Sequence, residues 1–208
     1  MSWPGPFEGR CLAATACAVV GCGSTSQHGP TAVRVYTGVV DGTDAQVALV
    51  ASAHHTRIYF CGGPSSYMTL THWFTLDLDS SGATNAQADA GQDWTLDGQL
   101  TTGEASGAVT VADGTQHAFH ATGVGDGTIA GLYEATAACG KIGLIVTQGS
   151  PQSSPSGQGA CIGGGAVPSV EQVNPIIPLS RAADGAISVL VAGTSDAVLV
   201  RAAAAPAD

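Results

Sequence analysis

Apolar and polar positions along this chain alternate with a period of two, and almost no stretch shows a helical period. Residues 47–61, VALVASAHHTRIYFC, carry the densest pattern. Val47, Leu49 and Ala51 alternate with Ala48, Val50 and Ser52, and Ile58 and Phe60 alternate with Tyr59 and Cys61. Alternation rich in Val, Ile, Tyr and Phe marks strands, and Ala53-His54-His55-Thr56 is a polar break between two of them. The stretch predicts a central hairpin.

Similar segments follow in order. Strands are expected at 33–40, 69–78, around Trp94 within 93–100, and at 107–111, 116–121, 129–135 and 141–147, with weaker ones at 176–179, 186–192 and 197–201. Asp-Gly pairs at Asp41-Gly42, Asp97-Gly98 and Asp113-Gly114 read as turns, because glycine supplies positive φ. Gly62-Gly63-Pro64-Ser65-Ser66 breaks the chain after the central hairpin. Residues 148–165, QGSPQSSPSGQGACIGGG, have the composition of a flexible loop, and the alanine-rich end reads as frayed. Short strands about ten residues apart, joined by tight turns, predict an all-β fold: a single antiparallel meander closing into a barrel or sandwich. The expected division is 1–21 signal segment, 22–32 tether, 33–147 β-domain, 148–165 loop and 166–208 C-terminal strands with a frayed tail. The segment TGVVDGTDA at 37–45 returns as TGVGDGTIA at 122–130, matching at seven of nine positions.

Composition narrows the function classes. Of 208 residues, 44% are hydrophobic but only 5% aromatic, so small side chains supply most of the core. Six Lys+Arg face 16 Asp+Glu, a formal net charge of -10, which repels phosphate backbones and anionic headgroups and argues against nucleic acid as a partner. Residues 11–21 form an apolar run after Arg10, the length of a signal-peptide core and too short to span a bilayer. It ends in Val19-Val20-Gly21-Cys22, which resembles the bacterial lipobox. That resemblance implies a lipid on Cys22, an exported protein anchored in the membrane by it, and, since Gly23 rather than Asp follows, placement at the outer membrane or periplasmic face.

In an oxidising space Cys61, Cys139 and Cys161 would then allow one disulfide in three pairings. Cys139 with Cys161 is favoured as a closure of hairpin scale that assumes no topology; the others stay open.

Tyr36, Gly38 and Val40, the Gly-Thr-Asp-Ala turn at 42–45, Cys61 and the Trp73-Phe74 pair form a pattern that resembles a group of small, uncharacterised exported bacterial lipoproteins with a β-rich domain. The resemblance implies export and a β-module, and carries over no catalytic residue.

Candidate chemistry is sparse. Asp77-Leu78-Asp79-Ser80-Ser81-Gly82 matches the start of a calcium loop, with Asp77, Asp79 and Ser81 as ligands, but Ala88 stands where the closing acid belongs; a plain Asx turn reads equally well. His54 or His55 with His117, His120 and a carboxylate could be imagined around zinc, yet 117 and 120 point to opposite faces of a strand. Ser65, Ser66, His72 and Asp77 could compose a hydrolase set, without a Gly-x-Ser-x-Gly elbow. Gly123-Val124-Gly125-Asp126-Gly127 is glycine-rich, but no helix follows to receive a phosphate. Tyr59, Trp73, Trp94 and Phe119 could line a face for an apolar or sugar ligand, or serve as core anchors. No cofactor is implied. The sequence thus predicts a non-enzymatic cell-envelope lipoprotein that binds an envelope protein or a small ligand. An exported hydrolase and a carrier with a barrel cavity are the alternatives.

Overall fold

The computed structural model describes residues 33–87, 93–148, 154–164 and 169–207; the signal segment and the whole tether, Cys22 included, lie outside them. Thr31–Asp208 forms one compact unit. It is all-β and antiparallel, but it holds two sheets rather than a single meander. The first contains β1 (Arg34–Val40), β2 (Gln46–Ala51), β3 (His55–Cys61), β4 (His72–Asp77), β5 (Ala83–Gln87), β6 (Thr95–Leu100), β7 (Glu104–Thr110) and β8 (Gln116–Gly123). The second contains β9 (Gly131–Ala137), β10 (Gly140–Thr147), β11 (Ser156–Ile162), β12 (Val170–Pro175), β13 (Ile187–Val191) and β14 (Ala197–Ala202).

The eight-stranded sheet runs β4-β3-β2-β1-β8-β7-β6-β5. β1 and β8 pair in the middle of the sheet and β4 and β5 form its edges; side chains of β1–β4 and β6–β8 share one buried cluster, so the sheet curls about it into a cylinder whose seam lies between β4 and β5. One face of every hairpin points inward: Tyr36, Val47, Leu49, Ile58, Phe60, Phe74, Trp94, Leu96, Val109 and Phe119 belong to one buried cluster. Phe60 meets Phe74 and Phe119 edge to face, at centroid distances of 5.9 and 5.4 Å, a favoured geometry for aromatic pairs. The Asp97-Gly98 pair does not turn. It lies within β6, where Gly98 faces Gly107 of β7. A Cβ on Gly107 would come within 2.9 Å of Phe119 Cε1, so this glycine makes room for an aromatic ring.

The six-stranded sheet closes as β10-β11-β12-β13-β14-β9. Its interior is aliphatic: Ile142, Leu144, Val146, Val173, Ile187, Val189 and Val200, with Tyr133 and the Cys139–Cys161 disulfide. The stretch expected as a flexible loop carries β11, so the expected boundary at 147 falls between two paired strands. Its glycines serve packing: a Cβ on Gly157 would stand 3.0 Å from Leu179 and Pro175 side chains, and one on Gly159 would stand 2.7 Å from Gly143 O. The strand expected at 176–179 is displaced to β12, and the alanine-rich end is tied down where Ala203 N donates to Leu132 O at 2.9 Å.

The two bodies share a third cluster. Ala48, Val50, Tyr59, Cys61 and Trp73 on the outside of the cylinder pack against Leu132, Ile145, Ala160 and Ala203 of the barrel side. β2 is therefore buried on both faces, which explains its unbroken VALVA run. Gly143 permits the contact, since a Cβ there would collide with the Tyr59 and Trp73 rings. Around the rim, Arg57 donates to both carboxylate oxygens of Glu134, the Nη1–Oε1 bond measuring 2.8 Å, and Lys141 Nζ lies 3.8 Å from Glu134 Oε2 and 3.9 Å from the Trp73 ring centroid.

Candidate functional site

The residues singled out for calcium are committed locally. Asp79 accepts from Ser81 N at 2.8 Å, Ser81 Oγ at 2.6 Å and Ala83 N at 3.0 Å. The Ser81 hydroxyl and then those amides hold its carboxyl below the usual range. Asp77 instead meets His55 Nδ1 at 2.7 Å. The motif is the Asx turn that joins β4 to β5, and among the described residues no group of three His, Cys, Asp or Glu side chains is placed to hold a metal. His120 Nδ1 turns to Asp41 at 3.0 Å.

The hydrolase set does not converge. Ser66 Oγ donates to Asp44, whose carboxylate also accepts from Ser65 N at 2.7 Å. His72 packs its ring 4.9 Å from Phe74 and 4.7 Å from Trp94, while Asp77 is engaged with His55. The Ser66–Asp44 pair fastens the β3–β4 connection onto the β1–β2 turn.

The four aromatic candidates divide between two clusters. Tyr59 and Trp73 stack with centroids 4.4 Å apart at the junction of the bodies, whereas Trp94 and Phe119 lie inside the cylinder. All four are buried, so they form no common ligand face. Burial pushes the free Cys61 thiol up to about 12, which removes the thiolate needed for nucleophilic work. The structure joins Cys139 to Cys161, with Cα atoms 6.1 Å apart.

The sequence did not single out the cleft beside β1, which has a volume near 300 Å³. Arg34 and Val35 of β1, the β8–β9 connection at 123–128, Leu132 and Tyr133 of β9, Arg181, and the end of β14 line it. Thus both bodies contribute walls. Arg181 Nη2 donates to Thr128 O at 2.9 Å and to the Tyr133 hydroxyl, which donates onward to Ile129 O at 2.7 Å. Arg34 reaches Ser52 O at 3.3 Å through Nη2 and Thr101 O at 3.5 Å through Nη1, long contacts beside the 2.6 Å bond from Tyr36 Oη to Thr101 O. Burial raises the Tyr36 phenol, against the lowering pull of Arg34, so it stays a neutral donor. Two signals pointed here: the scarcity of basic residues, which gives each arginine weight, and the TGVGDGT echo. In the fold the echoes are partners, since Thr37 faces Thr122 across the β1–β8 pair.

Comparison with protein-family models, with curated proteins and with solved structures finds no match for this chain.

Proposed function

We propose that this chain is a cell-envelope lipoprotein, anchored through a lipid on Cys22, that acts as a non-enzymatic binding or structural module. The observation that carries the reading is the Cys139–Cys161 disulfide, whose Cys161 is fully buried in the barrel. Cross-links of this kind persist in oxidising spaces such as the periplasm. The run at 11–21 and Val19-Val20-Gly21-Cys22 supply the matching address. The pattern that resembles small exported bacterial lipoproteins falls on β1–β4, where Gly38 admits the β8 backbone, and where Trp73 and Phe74 serve opposite faces of one strand.

A binding role suits the side chains better than hydrolysis, since the candidate Ser, His and Asp groups are spent on turns and ring packing. A carrier with its ligand inside the cylinder is disfavoured, because aromatic rings occupy that space. The test is the intact mass of protein made in a bacterial host with its own N-terminus, after separating membrane and soluble fractions. The expected species is membrane-bound, lacks residues 1–21 and carries acyl mass on Cys22. A soluble, unprocessed, unmodified chain would overturn the reading.

A further inference from the structure

In a chain where acids outnumber bases 16 to 6, each basic group has carboxylates to choose from. Arg57 and Lys141 take Glu134, and Arg201 takes Asp184 at 2.7 Å. Arg34 and Arg181 do not: among the described residues neither forms an ion pair, and both line the same cleft. They come from different bodies, Arg34 from β1 and Arg181 from the connection between β12 and β13. Each is held by backbone carbonyls, through one terminal nitrogen of Arg181 and both of Arg34. Such contacts orient a guanidinium without neutralising its charge, and leave other N–H groups of its five for a ligand.

Between them runs the β8–β9 connection. Gly125, Asp126 and Gly127 are exposed there, and Gly127 has φ +77°. Glycine removes side-chain bulk, so a ligand can approach the main chain closely. A glycine-rich loop that holds an anion normally opens a helix, whose terminus supplies positive potential. Here a strand follows, and the positive charge comes instead from Arg34 and Arg181, which line the same cleft as the loop. Leu132 and Ala203 give the cleft an apolar part, and its volume near 300 Å³ suits a small molecule. Asp126, the carboxylate among the lining residues, is exposed, where water and salt screen its repulsion.

We propose that this cleft binds a small organic anion, a carboxylate or phosphate monoester with a short apolar body, between Arg34 and Arg181 and against the backbone of the β8–β9 connection. The proposal deepens the reading of the chain as a binding module and is independent of the lipid on Cys22.

The experiment is an NMR titration of the full chain, isotope-labelled, with butyrate, methyl phosphate and neutral butyramide as probes. Saturable shifts of the Arg34 and Arg181 Nε–H and of the 125–127 amides are expected with at least one of the two anions, and none with butyramide. Arg34→Gln and Arg181→Gln should each weaken binding at least tenfold. Because the parent protein reports the site directly, a variant that failed to fold would leave the titration decisive. The proposal would be overturned by no shift with either anion at millimolar concentration, by equal shifts with butyramide, or by parent-like affinity in folded Gln variants. Shifts confined to another surface would also overturn it while leaving a binding module standing, and loss of the lipid on Cys22 would touch neither outcome.

Discussion

The cylinder and the barrel solve the same packing problem with different side chains. Eight strands enclose a wide interior, filled by Tyr36, Phe60, Phe74, Trp94 and Phe119. Six strands enclose a narrow one, filled by Ile, Leu and Val around a single tyrosine and a disulfide. Barrel diameter grows with strand number, so ring-sized groups fit the first and branched aliphatics the second. Glycines serve both bodies alike: Gly157 and Gly159 of the barrel and Gly38 and Gly107 of the cylinder admit a neighbour's backbone or side chain, at Gly107 the backbone of β6 and the Phe119 ring. The scarcity of aromatic residues is therefore uneven: most of the rings serve one body.

That contrast can be broken from either side. The largest effect is expected for Phe60→Ala, which deletes the ring that meets Phe74 and Phe119. It should cost about 3–5 kcal/mol, read as a lower denaturant midpoint by the fluorescence of Trp94. The barrel's counterpart is removal of the Cys139–Cys161 link, which spans 22 residues. Replacing both cysteines by serine or alanine should cost about 3 kcal/mol by loop entropy and raise hydrogen exchange first in β10 and β11. Equal protection in the parent and in this variant would contradict that assignment.

The junction sharpens the comparison. Gly143→Val places atoms where Tyr59 and Trp73 lie, and should cost about 1–3 kcal/mol through overpacking. Its signature is a change in Trp73 fluorescence with both interiors still protected from exchange. A smaller, pH-dependent effect belongs to Glu134. Burial raises its carboxyl, but the hydrogen bonds and charge of Arg57 and the charge of Lys141 outweigh it and leave the group below its ordinary value. A carboxyl lowered on folding stabilises the protein above its unfolded value, near 4.5, and that share is lost as pH falls through the folded value. Glu134→Gln should flatten the stability profile below about pH 4.5, where the parent's falls more steeply. Parallel profiles for parent and variant would remove Glu134 from this role.

Legibility followed the same division. The cylinder's hairpins at 46–61 and 104–123 could be read because β-branched and aromatic side chains recur at strand period and a polar break, Ala53-His54-His55-Thr56 in the first and Asp113-Gly114 in the second, stands between the strands. β5 was missed because ATNAQ has no apolar alternation; β6 was cut short in expectation because Asp97-Gly98 imitates a turn. β11 was missed because its glycines, chosen for close packing, have the composition of a linker. Sequence patterns report how a strand faces its own core, and carry little about a second sheet. So the VALVA run reads as one alternating strand and does not name the barrel that covers its second face, and Tyr59 and Trp73, though read as core anchors before a ligand face, carry no sign of which core they serve. The Arg34–Arg181 cleft escaped for the same reason: its halves lie 147 residues apart and meet only because the bodies are joined.

That joining is the central claim, and native-state hydrogen exchange tests it most directly. With the junction holding the two bodies as one unit, core amides of 58–61 and of 144–146 should open in the parent protein with the same free energy. In Gly143→Val the two values should separate. Different opening free energies in the parent, unchanged by Gly143→Val, would mean that the cylinder and the barrel are independent and that the cleft between Arg34 and Arg181 is not a fixed site.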